Sequence, residues 1–272
     1  MGRPAVDRAE PDSPERGSLT VVGTGIALRV HMTAEAESAC KRADELLYLV
    51  TEPLTAEWLA GLNRASRSLH TLYRDAESRS EIYADMVDEI LASVRQGRRV
   101  CVAFYGHPGV FVHASHEAVR RAREEGFAAR MLPAISAEDC LFADLGLDPA
   151  QTGCQSYDAT DFLVHRRRPD PSAALILWQI SVVGQVGWAE EPAPDRLPVL
   201  VDYLREWYPA EHEIAVYEAS PYPIAGASIQ WLAVRDLGGA EVRPMSTLYV
   251  PPSVVREPDP DMLARLGIAP DG

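Results

Sequence analysis

Apolar positions in this chain follow two rhythms. Up to about residue 133, short apolar runs alternate with stretches of helical period. Residues 19–22 read as a first strand ending at Gly23-Thr24-Gly25, Thr33 caps a helix running to about residue 44, and residues 46–50 make a second strand. From Arg79 onward, Ile82, Met86, Ile90 and Val94 recur every fourth position, with Tyr83, Val87 and Leu91 beside them. That spacing predicts an amphipathic helix, and Gly97 stops it. Residues 100–104 form an apolar strand that runs into Gly106-His107-Pro108-Gly109. A helix over 115–125 follows, closed by Gly126. Residues 129–133 then lead to Ser136, an N-cap candidate with Asp139 three positions on. This alternation predicts one parallel-sheet domain over residues 18–133.

Past Gly146 the apolar runs lengthen. Residues 173–178 read as a buried strand, 197–207 as a helix, and 214–217 and 246–250 as further strands. They predict a second α/β domain over residues 134–250. Residues 1–17 are charged and proline-rich, the composition of a disordered tail. Residues 251–272 form a C-terminal extension with one short amphipathic piece at 261–266.

Composition narrows the class. At 272 residues the chain is long enough for two modest domains. A formal net charge of −14 argues against a nucleic-acid partner, because phosphate binding needs a basic face. No apolar run approaches the ~18 residues of a membrane helix, and the N-terminal residues lack the apolar centre of a signal peptide. These features lead us to expect a cytoplasmic protein with no membrane partner. Cys40, Cys101, Cys140 and Cys154 contain no CxxC pair, which predicts free thiols rather than a disulfide frame or zinc site.

The chemistry concentrates at residues 104–149. A strand ending in a Gly/Pro turn before a helix is where α/β proteins hold a ligand, and residues 105–109 and 133–139 supply two such turns. Gly23-Thr24-Gly25 lacks the third glycine of a dinucleotide fingerprint and reads as a tight strand-to-helix turn. His107, His113 and His116 have no HExxH or paired acidic ligand with them, so no metal is expected. Ser115 and Ser136 lack a nucleophile elbow. Arg79 and Tyr83 are four apart and share a helix face, with Tyr73 leading in and Tyr105 ending a strand. A tyrosine in an apolar stripe is ordinarily core packing. Beside a permanently charged arginine it becomes chemistry, since the cation favours the phenolate and lowers a pKa that starts near ~10.

The segments GSLTVVGTGI (17–26), residues 104–149 beginning FYGHPGVF and containing LPAISAED, ATDFL (159–163), WQ (178–179) and STLYVPP (246–252) resemble the tetrapyrrole-methylase-like superfamily. Within it they resemble the borosin-type peptide backbone α-N-methyltransferases, over residues 17–267. The resemblance implies two α/β domains with S-adenosylmethionine in a cleft between them, S-adenosylhomocysteine as product, and a homodimer. It carries the family's catalytic set onto Tyr73, Arg79, Tyr83 and Tyr105. It carries the cofactor contacts onto Tyr105, His107, Val110, Phe111, Ser136, Ala137, Gln179, Ala219, Ser246 and Thr247. At Ala219 the pattern departs: the fungal enzymes have Gly-Ala where this chain has Ala219-Ser220. Those enzymes also continue into their own substrate peptide. Here no valine- or isoleucine-rich segment follows Leu266-Gly267-Ile268, which implies a split form acting on a separate precursor peptide. Two other expectations stand beside this one: a tetrapyrrole- or corrin-type small-molecule methyltransferase of the same fold, and a catalytically idle cofactor-binding module.

Overall fold

The computed structural model describes residues 17–73, 79–185 and 194–269, with the side chains of Arg79 and Pro194 left undescribed. The tail expected over residues 1–17 therefore lies outside it, apart from Gly17. The chain divides into two compact units.

The first unit runs to Leu145 and includes residues 219–227. Its elements are β1 (Ser18–Gly23), α1 (Ala34–Arg42), β2 (Glu45–Leu49), α2 (Pro53–Leu62), β3 (Ser66–Ser68), α3 (Arg79–Arg95), β4 (Arg99–Phe104), α4 (His113–Glu124), β5 (Ala128–Met131) and α5 (Ala137–Leu145). The strands form one all-parallel sheet in the order β3-β2-β4-β1-β5. Both its faces are covered, as the continuous apolar runs of β1 and β4 require. Leu19, Val21, Val102 and Phe104 pack under α3 and α4, while Val22, Leu46, Cys101 and Ala103 pack under α1 and α2. The four-residue apolar repeat of α3 faces this core, with Ile82, Met86, Ile90 and Val94 fully buried. Thr33 caps α1 by accepting from the Ala36 amide.

The second unit holds α6 (Pro149–Thr152), β6 (Cys154–Asp158), α7 (Ala159–Val164), β7 (Ala174–Trp178), α8 (Leu197–Leu204), β8 (Glu213–Glu218), β9 (Ser228–Ala233), β10 (Thr247–Val250) and α9 (Pro260–Leu266). Its sheet has the order β6-β7-β10-β8-β9, with only the β6–β7 pair parallel. Leu175, Leu177, Ile214, Val216, Leu248 and Val250 line one face and pack with Phe162 of α7 and Leu200 and Leu204 of α8.

The boundary falls after Leu145, later than the expected start at residue 134. α5 belongs with the first sheet because it grows out of the β5 turn, where its Cys140 thiol lies 4.0 Å from the ring of His31. Residues 219–227 also return to the first unit: the Leu28 amide donates to Pro221 O (2.8 Å) and the Tyr222 hydroxyl to Glu52 (3.3 Å). All four cysteines are free, and Cys40 and Cys101 touch in the core at 3.7 Å between sulfurs. The contact with Cys40 and burial together push the Cys101 thiol well above its ordinary range, so it stays protonated. No helix among the described residues is long and apolar enough to cross a membrane.

Candidate active site

Three loops meet at the carboxyl edge of the parallel sheet, because β4, β1 and β5 are neighbours running the same way. The turns after β1 and β4 clamp each other: the Gly25 amide donates to Gly106 O (3.2 Å) and the Gly106 amide to Gly25 O (3.1 Å). The approach is close enough to exclude side chains. A Cβ on Gly23 would lie 2.1 Å from Gly106 O, and one on Gly25, whose φ is +68°, 2.2 Å from the His31 Cβ. The glycines thus serve turn-to-turn packing. This corrects the expected tight strand-to-helix turn, since Thr24 through Thr33 separate β1 from α1.

Tyr105 leaves β4 half-buried, packed against Cys101 and Ala103 and their neighbours, with its amide donating to Leu49 O (3.2 Å). The loop beyond it is held by side chains. The Gly109 amide donates to His107 Nδ1 (2.9 Å), which leaves the proton of a neutral imidazole on Nε2. His116 Nε2 donates to Gly109 O at 2.9 Å, and Ser115, fully buried, donates to Val112 O at 2.8 Å and to Pro108 O. Ser115 is therefore a loop fastener. Phe111 sits at φ +55°, rare for a residue with a side chain, and is 47% exposed beside the half-buried Val110.

At the third loop Ser136 and Asp139 form a reciprocal cap. The Ser136 amide donates to Asp139 Oδ2 (2.7 Å), as does its hydroxyl (2.6 Å), and the Asp139 amide donates back to Ser136 Oγ (3.2 Å). Ala137 opens α5 with Glu138 and Asp139 in its first turn. These carboxylates disfavour a bound anion, and neither 105–111 nor 133–139 contains a lysine or arginine. The edge suits a neutral or cationic ligand better than a phosphate. Burial and the nearby charges of Asp144 and Asp139 push the Cys140 thiol up to about 11, so it is no ready nucleophile despite His31.

Tyr73 and Tyr83 lie on the α3–α4 side of the same unit, whereas Tyr105 packs with the cluster under α1 and α2. Tyr73 follows a 3-10 turn, with its ring 5.4 Å from that of His70, and both Tyr73 and Tyr83 pack half-buried against the core under α3 and α4. The Tyr83 ring stands 6.2 Å from that of His113, the first residue of α4. Arg79 opens α3 one turn before Tyr83, and its side chain lies outside the described residues. The sequence offers His113 only as a candidate metal ligand. Its place beside Tyr83 depends on α3 packing on α4, for which residue spacing gives no signal.

In the second unit strand register brings the remaining candidates to one end of the sheet. Gln179 follows β7 at φ +58°; Thr247, buried, begins β10 opposite Tyr217; and Ala219 follows the end of β8 where the chain passes to the first unit. Ser246 is buried and accepts the Arg243 amide at 2.8 Å. Trp178, just before Gln179, donates through its indole N–H to Ser156 (2.7 Å).

Residues 18–223 match the model of the Tetrapyrrole (Corrin/Porphyrin) Methylases. The chain is 40% identical over 269 residues to the methyltransferase/ribosomally synthesized type I borosin cyclic peptide precursor of Serendipita vermifera subsp. bescii, covering 97% of this chain and 65% of that protein. It is 38% identical over 261 residues to the methyltransferase/ribosomally synthesized cyclic peptide omphalotin A precursor of Omphalotus olearius, covering 94% and 63%. It thus spans less than two thirds of the length of these relatives. Among solved structures, uroporphyrin-III-C-methyltransferase from Thermus thermophilus aligns with a TM-score of 0.60 at 21% identity, covering 87% of this chain and 93% of that one. The same enzyme complexed with S-adenyl homocysteine aligns at 0.58 and 18% (86% and 92% covered), and diphthine synthase at 0.61 and 14% (88% and 91% covered). These structural likenesses establish the fold.

Proposed function

The chain belongs to the tetrapyrrole (corrin/porphyrin) methylase family, and we propose that it transfers methyl groups from S-adenosylmethionine to backbone amide nitrogens of a peptide. The observation that carries the peptide substrate is the 40% identity, over nearly the whole chain, to a protein named as both methyltransferase and peptide precursor. The cofactor is supported by the family and by the character of the first unit's edge. S-adenosylmethionine carries a sulfonium cation and no phosphate, which suits loops without basic residues and a helix start bearing Glu138 and Asp139. In this reading Tyr105, His107, Val110, Phe111, Ser136, Ala137, Gln179, Ala219, Ser246 and Thr247 hold the cofactor. The Ser136 hydroxyl is committed to its cap, so that contact falls to the backbone.

An amide nitrogen is a poor nucleophile because its lone pair is delocalised into the carbonyl. Methylation requires the N–H proton to leave or the carbonyl to be polarised. We assign proton removal to Tyr73 or Tyr83, with Arg79, one helical turn before Tyr83, as the cation of the same set. Tyr105 donates to the carbonyl oxygen as negative charge develops there. The cofactor, when bound, supplies the electrophilic methyl group, and what remains is alignment. We further propose a homodimer in the cytoplasm whose acceptor is a separate precursor peptide.

The test is mass spectrometry of the purified chain with cofactor, alone and with an added peptide. Methyl gains on backbone amides of the added peptide support the proposal, and gains on the chain itself move the acceptor into the same polypeptide. Tyr83→Phe and Arg79→Ala should each slow methylation about 10²–10⁴-fold. Cofactor affinity, read by calorimetry, should stay nearly unchanged because these groups act on the acceptor. Turnover retained with a lowered melting temperature would return Tyr83 to core packing.

A further inference from the structure

β9 is the edge of the second unit's sheet, hydrogen-bonded to β8 along one side only. No hydrogen bond among the described residues caps the other side along 228–233. Natural edge strands are blunted by lysine, proline or a bulge, yet Ser228-Ile229-Gln230-Trp231-Leu232-Ala233 contains no charge and no proline and pairs regularly over all six residues. Its first four residues are exposed, including Trp231 at 49% and Ile229 at 37%. Trp231 lies edge-on to the Tyr249 ring at 6.3 Å, so the face bearing Ile229 and Trp231 is a fixed apolar shelf.

The opposite face of the same strand borders a pocket of about 50 Å³ lined by Glu218, Ser228, Gln230, Glu241, Arg243 and Ser246. Arg243 is tied to Glu241 (3.0 Å), and the pocket holds two carboxylates against one guanidinium. It suits the end of a side chain carrying hydrogen-bond donors or a positive charge. An open ladder, an apolar shelf on one face and an acidic pocket on the other match an extended peptide. Such a peptide gains affinity from main-chain hydrogen bonds and specificity from alternate side chains.

We propose that β9 docks the peptide substrate as an added sixth strand, with apolar side chains over Ile229 and Trp231 and an alternate basic side chain in the pocket of Glu218 and Glu241. This site rests on the peptide reading above and deepens it. A second copy fits less well, because a β9 strand paired with itself brings no basic residue to the pocket, and the chain's net charge is −14. Backbone N-methylation removes the amide donors of a ladder, so the same edge would release a fully methylated segment.

The probe is an acetylated decapeptide of alternating valine and lysine, and its counterpart N-methylated at every internal residue. Hydrogen exchange should show the β9 amides protected by the first peptide. Fluorescence anisotropy should show the second binding at least tenfold more weakly. Ile229→Lys with Trp231→Lys should abolish binding. Glu241→Gln, which leaves the edge intact, should weaken it several-fold. Unprotected β9 amides, or equal binding of the two peptides, overturns the proposal. So does a dimer that dissociates in the lysine double variant while peptide binding persists. Methylation undiminished in that variant at low peptide concentration sinks the docking site and leaves methyl transfer standing. Protection of β9 without methylation does the reverse.

Discussion

The two sheets solve the same problem in different ways. In the first unit both faces are buried, and the candidate residues sit on loops beyond the strands, held by backbone clamps such as Gly25–Gly106 and side-chain fasteners such as Ser115 and His116. In the second, Gln179 and Thr247 stand at strand ends and are placed by register, while the far edge at β9 is left open. Loops locked from below can present a ligand edge with little freedom to relax, so they tolerate little change. A strand-end site tolerates side-chain substitution as long as the ladder holds, and a free edge remains available for another chain.

Gly23→Ala should break this contrast most sharply. The added Cβ meets the Gly106 carbonyl at 2.1 Å, a backbone atom that cannot swing aside. We expect a stability loss of about 3 kcal/mol in a denaturant titration. Gly239→Ala in the second unit has nothing within 4 Å of the new atom and should stay within about 0.5 kcal/mol. Equal effects would mean that the turns repack freely.

Acid should separate the units next. Burial alone would raise the Glu45 carboxyl, but the Ser93 hydrogen bond and the Arg67 and Arg98 guanidiniums outweigh it and hold the group below its usual range. A carboxyl whose folded value is depressed gives stability that is full above its unfolded value, near ~4.5, and lost as pH falls through the folded value. The denaturation midpoint should therefore drop below about pH 4.5. Glu45→Gln should cost on the order of 1–2 kcal/mol at pH 7, since its arginine partners are half-exposed, and flatten that acid limb. An unchanged limb in the variant would shift the acid sensitivity to other carboxylates.

The smallest effect sharpens the comparison at the third loop. Ser136→Ala removes one half of the cap on α5 and should cost about 1 kcal/mol in thermal unfolding. Ser136→Thr should restore it. If cofactor affinity falls in the alanine variant by more than the stability change accounts for, Ser136 touches the ligand through its side chain.

Residue order alone determined much of the first unit. The β4 turn, the buried stripe of α3, the Gly126 stop of α4 and the Ser136–Asp139 cap were legible because each depends on neighbours within one or two turns of chain. β3, β6 and β9 were not: Ser66–Ser68 is short and polar, Cys154–Asp158 alternates weakly, and Ser228–Ala233 is an edge without a clear inside. Their strand identity comes from pairing partners up to about 20 residues away. Only the tertiary structure decided that α5 and residues 219–227 belong with the first sheet, that Gly23 is needed for Gly106, and that His113 stands beside Tyr83. Sequence spacing encodes periodicity, and periodicity fixes which face of an element is apolar. Which element covers that face is settled by long-range packing, where one close contact between distant glycines outweighs local propensity.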